Sequence, residues 1–168
     1  MKRPLLTALV LVAAGVAAAQ TAQTVSPVTL SLTMSLVRNV TVGGKVTEQL
    51  TPNPGNVLPG AVLSQVVTAR NTTTKSIVNL PITLPVPKNT VYLAPEQGLD
   101  ATRAEYSIDG GKTFAAAPLK KTVTVTQNGK TVQKEVEVKP SEYTTVRWMV
   151  RELPANQTLK LGYRVQVK

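Results

Sequence analysis

Val28-Thr29-Leu30-Ser31-Leu32-Thr33-Met34-Ser35-Leu36 alternates apolar and hydroxyl side chains without a fault. Successive side chains of a strand point to opposite faces. The stretch therefore predicts a β-strand with a buried Val/Leu/Met face and a wet Thr/Ser face. The C-terminus repeats the pattern. Leu159, Leu161, Tyr163, Val165 and Val167 point one way, and Lys160, Arg164, Gln166 and Lys168 the other. Gly162 interrupts the polar side, which marks a close backbone approach or a bulge.

Between these ends the same period recurs. Val40 to Leu50 reads as a hairpin turning at Gly43-Gly44. Val62 to Asn71 and Ser76 to Leu84 read as a pair joined by Asn71-Thr72-Thr73-Thr74-Lys75. Short strands are expected at Thr90 to Leu93, Glu105 to Ile108 and Thr113 to Ala115. Lys121 to Thr126 and Thr131 to Lys139 flank Gln127-Asn128-Gly129-Lys130, and Asn-Gly between alternating runs is a hairpin signal. Tyr143 to Val150 carries Val146, Trp148 and Val150 on one face, which puts Trp148 at the centre of the core. Prolines punctuate the gaps, as turns require. About ten short strands with no helical period predict an all-β, antiparallel sandwich.

The first nineteen residues have a different character. Lys2 and Arg3 precede a nearly unbroken apolar run from Leu5 to Val16, then Ala17-Ala18-Ala19 and Gln20. This is the layout of a cleavable, helical secretory signal peptide, and the run is too short for a permanent span. The expected organisation is a signal at 1–19, a short linker at 20–27 and a single sandwich domain at 28–168, with a long hairpin around 121–139. The absence of cysteine from an exported chain points to a bacterial envelope, since small secreted animal domains lean on disulfides. The expected location is the periplasm, the cell surface or the medium. No second apolar run is long enough for a transmembrane span.

The formal net charge is +10. It favours acidic neighbours: anionic polysaccharide, lipid headgroups or an acidic protein. An exported chain with one Trp, four Tyr and one Phe is not expected to bind nucleic acid. The sharpest basic feature is the hairpin bearing Lys120, Lys121, Lys130 and Lys134, a candidate arm for an anionic partner.

Several pieces in order resemble the bacterial domain of unknown function 11, a surface-protein family. They are Leu58-Pro59-Gly60, Val66-Val67-Thr68-Ala69-Arg70-Asn71-Thr72, Leu80 to Tyr92, Tyr106 to Gly111, and Arg147-Trp148 followed by Glu152 to Leu159. Together they span roughly residues 57 to 168. The resemblance implies an immunoglobulin-like sandwich and a surface or envelope role, and brings no catalytic residues. A second, local resemblance is to the Asp-box turn of sialidases and related propellers, in Ser107, Asp109, Gly111, Thr113 and Phe114. It implies a structural corner in which a carboxylate caps turn amides.

The chemistry left out is informative. With neither His nor Cys, the Ser-His-Asp and Cys-His constellations and the common zinc and copper ligand sets are missing. Carboxylate pairs remain. Glu135 and Glu137 share one strand face about 7 Å apart, among lysines that point to a solvated strand. Glu96 and Asp100 are too few oxygens for a calcium site. The expectation is a non-enzymatic envelope module with no cofactor and no metal. Its partners would be envelope or surface proteins met by strand-edge pairing, with Thr29 to Ser35 the best candidate edge. The alternative is a binding module for acidic glycan or another anionic envelope polymer.

Overall fold

A computed structural model describes residues 26–99, 103–127 and 130–168; the expected leader and the Asn128-Gly129 turn lie outside them. Among the described residues ten strands follow one another: β1 (Val28–Val42), β2 (Lys45–Pro52), β3 (Val62–Asn71), β4 (Ile77–Pro85), β5 (Thr90–Pro95), β6 (Ala104–Ser107), β7 (Lys120–Gln127), β8 (Lys130–Glu137), β9 (Thr145–Leu153) and β10 (Thr158–Val167). A 3-10 turn at Pro140–Glu142 precedes β9. Among the described residues there is no α-helix, and so none long and apolar enough to cross a membrane.

All pairings are antiparallel. Five strands form one sheet in the order β2-β1-β3-β10-β5, three form a second in the order β4-β9-β6, and β7 pairs with β8 alone. The two larger sheets hold the core between them, as in a sandwich. Trp148 of β9 stacks on Tyr163 of β10 with centroids 6.1 Å apart, and the Tyr163 hydroxyl donates to the Pro85 carbonyl of β4 at 2.7 Å. Tyr92 of β5 meets Tyr106 of β6 edge-on at 5.4 Å. Burial pushes the Tyr163 phenol above its ordinary range, and burial with the Tyr106 hydrogen bond does the same to Tyr92. Trp148, expected at the core centre, is 3% exposed.

Four expectations need correction. Thr113 to Ala115 is not a strand: Ala115 alone makes an antiparallel bridge to Tyr106. The segment 71–75 does not close a hairpin: β3 and β4 belong to different sheets. The Asn71 side chain turns the chain across the sandwich, donating through Nδ2 to the carbonyls of Lys75, Leu153 and Pro154 while its Oδ1 accepts from Thr73 N–H. Val28 to Leu36 and the first arm of the Gly43-Gly44 hairpin are one continuous strand. The apolar face of that strand is only partly buried. Leu36 is covered, but Leu30 and Leu32 are 57% and 53% exposed. Three strands cannot cover the whole inner face of five, so the outer sheet margin stays wet.

Gly162 is the close approach its position predicts. A Cβ there would lie 2.5 Å from the Gln65 carbonyl oxygen of the neighbouring strand. The ladder between β10 and β5 then slips in register at Arg164/Val165, which makes the bulge.

Candidate functional site

The free edge of β1 follows from its pairing. β3 runs along one side of the strand from Val28 to Val37, whereas β2 covers the other side only from Ser35 to Val42. In an antiparallel strand, alternate residues aim both backbone groups at opposite edges. The Met34 carbonyl accepts from Asn53 N–H on the β2 side, and the Pro27 carbonyl accepts from Thr72 N–H on the β3 side. Leu30 and Leu32 are in phase with Met34, so their N–H and C=O groups face outward. Val28, also in phase, has its carbonyl capped by the Ser26 hydroxyl at 2.9 Å. Among the described residues no strand pairs with the outward groups of Leu30 and Leu32. Ser26 to Val37 contains no charged residue and, beyond Pro27 at its start, no proline to guard the edge.

The Asp-box-like residues come together in one turn after β6. Asp109 Oδ1 accepts from the Ser107 hydroxyl at 2.7 Å and from the N–H groups of Lys112 and Thr113 at 3.0 Å each; Oδ2 accepts from the Thr113 hydroxyl at 2.7 Å. The Thr113 bonds lead in holding the Asp109 carboxyl far below the usual carboxylate range. Ser107 Oγ in turn accepts from Gly111 N–H at 2.8 Å. Gly111 has φ +88° and would place a Cβ 3.6 Å from Phe114. The Arg147 guanidinium lies 4.0 Å over the Phe114 ring and bonds Glu105 at 2.6 Å. Every oxygen of Asp109 is spent on the turn itself, so the geometry is that of a brace.

The four hairpin lysines do not form one patch. Register places Lys120 opposite Glu137 on one face of the ribbon, and Lys121, Lys130 and Lys134 on the other. Lys120 bonds Glu135 at 2.9 Å, and Lys121 is tied to Glu142 at the base. The Lys121 ammonium lowers the Glu142 carboxyl from its ordinary value, and Glu135 raises Lys120. A two-residue turn at Asn128-Gly129 would have given this register from sequence.

An ion-pair cluster running from buried Glu96 to exposed Glu48 escaped the sequence. Arg164, on the back of the five-stranded sheet, bonds both oxygens of Glu48 at 2.7 Å and Glu96 Oε1 at 2.7 Å. Arg164 holds Glu48 below its ordinary range, and the two carboxylates raise the guanidinium further. Glu96 is thus turned to an arginine; Asp100, the other half of the expected pair, lies outside the described residues. Glu135 and Glu137 do share a face, beside Lys120. Among the described residues, a cleft of about 320 Å³ beside Trp148 and Leu161 has Glu152 as its one acid, and another of about 430 Å³ beside Leu36 and Leu58 has none.

Compared with known proteins, the chain matches no family model, no curated protein and no solved structure.

Proposed function

We propose that the protein is an exported, non-enzymatic module of a bacterial envelope or surface, an immunoglobulin-like sandwich that takes up a strand of a partner protein along the outer edge of β1. The observation that carries this reading is the coincidence, at Leu30 and Leu32, of outward backbone groups with leucines 57% and 53% exposed. Main-chain bonds from an added strand supply affinity, and the two leucines give it an apolar contact. The leader-like residues 1–19 and the motifs that resemble domain of unknown function 11 support the location; the brace at Asp109 and the arginine-bound carboxylates support a role without catalysis.

The test is the double variant L30K/L32K, which guards the edge as natural edge strands do. Parent and variant are used to co-purify proteins from bacterial envelope extract, with thermal melts to show that both fold. Loss of the parent's co-purifying proteins from the folded variant is expected. An unchanged set of proteins on the variant would remove the edge from consideration. N-terminal sequencing of exported material should begin at Gln20.

A further inference from the structure

The β7–β8 ribbon sorts its side chains by face. Val125 lies opposite Val132, Val123 opposite Lys134, Lys121 opposite Val136, and Gln127 opposite Lys130. One face therefore carries four valines, three lysines, one glutamine and no acid. The other carries Thr122, Thr124, Thr126, Thr131 and Gln133, with Lys120 and both of the ribbon's acids, Glu135 and Glu137. The two faces thus separate the threonines and both acids from the valines and three of the ribbon's four lysines.

The ribbon also stands on a fixed base. Leu119 and Val138, just below it, are 7% and 1% exposed, and Val138 N–H donates to the Leu119 carbonyl at 2.8 Å. Beyond them, among the described residues, β7 and β8 pair as strands only with each other. An isolated two-stranded ribbon is marginal in water, and here one of its faces mixes valine with lysine and leaves Val132 39% exposed.

We propose that this valine–lysine face docks on an anionic bilayer surface. The occupant is chosen by the two chemistries on one face. A soluble polyanion would neutralise the lysines and leave the valines in water. A bilayer interface takes both: lysine stems lie along apolar surface with their ammonium groups among the headgroups, and the valines meet the acyl boundary. Lys121 is already tied to Glu142, so Lys130 and Lys134, which form no salt bridge among the described residues, carry the electrostatic part. This surface is separate from the β1 edge and stands or falls independently of it.

The chain has no cysteine, so V125C and T124C place a polarity-sensitive fluorophore on opposite ribbon faces. Each is mixed with vesicles of phosphatidylcholine alone, or of phosphatidylcholine and phosphatidylglycerol in equal parts. A blue shift at position 125 with the anionic vesicles only, and none at position 124, is expected. The difference between faces separates ribbon docking from any vesicle binding by the apolar leader. In V125C, adding K130Q and K134Q should weaken the response about fivefold for each lysine. Equal responses at both positions, a response to phosphatidylcholine alone, the same shift with soluble dextran sulfate in place of vesicles, or no shift at all would overturn the proposal.

Discussion

Leu32 and Val67 sit opposite each other on one ladder and point to the same side of the same sheet. Val67 is 5% exposed and Leu32 is 53% exposed. One strand spacing separates a core residue from a wet one. The alternation that places both on the inner face is equally clean in β1 and in β10, yet β10 buries Leu161, Tyr163 and Val165 to 4% or less. Period two therefore tells which face a side chain takes, and the width of the opposing sheet decides whether that face is dry. The contrast assigns stability to the centre of the five-stranded sheet and leaves its margin as the place for the binding proposed above.

That assignment demands the most at the centre. W148A removes the ring stacked on Tyr163 and should cost about 3–5 kcal/mol, read from urea denaturation. A loss under about 1 kcal/mol would mean that the two sheets are not held together there. G162A attacks the same centre by overfilling. A Cβ 2.5 Å from the Gln65 carbonyl cannot be accommodated by a rotamer change, because the obstacle is backbone. About 1–3 kcal/mol of destabilisation is expected from β10 moving off β3. A neutral result would show that the ladder gives way without loss.

Between centre and margin stands the Asp109 brace, whose signature is pH. Its folded-state carboxyl titrates below its ordinary value of 3.8. A depressed folded value contributes stability above the unfolded value, which is lost as pH falls through the folded one. D109N should therefore melt below the parent by a constant margin from neutrality to about pH 4. The margin should close only in stronger acid. A gap that closes already near neutrality would assign the effect to another group.

Most strand positions, though not the one expected at Thr113 to Ala115, were legible with the turn glycines, Trp148 and the Asp109 turn, because each rests on neighbours within a few residues. The crossing at Asn71 was not. Asn71-Thr72-Thr73-Thr74-Lys75 reads as a hairpin loop, and what makes it a crossing is a bond from Asn71 to the Leu153 carbonyl, 82 residues away. Arg164 reaches Glu96 and Glu48 across 68 and 116 residues, and nothing in its local alternation marks it out from Lys160. The exposure of Leu30 and Leu32 was hidden for a related reason: it depends on how many strands the second sheet contains. The face sorting of the ribbon was the one missed feature that sequence did hold, since a two-residue turn fixes every cross-strand pair.

The margin itself should prove almost inert to folding. L30S/L32S keeps strand geometry and removes apolar atoms that are already more than half in water. Surface changes away from a buried partner stay within about 0.5 kcal/mol, so the urea midpoint should hardly move. Outward amides without a bonded neighbour also exchange quickly with solvent. Leu30 and Leu32 N–H groups should exchange fast, while those of Thr29, Ser31 and Thr33, which face β3, exchange slowly. Slow exchange at Leu30 and Leu32 in the isolated protein would mean that another segment already occupies the edge. The margin would then share the role of the centre, and the division between them would fail.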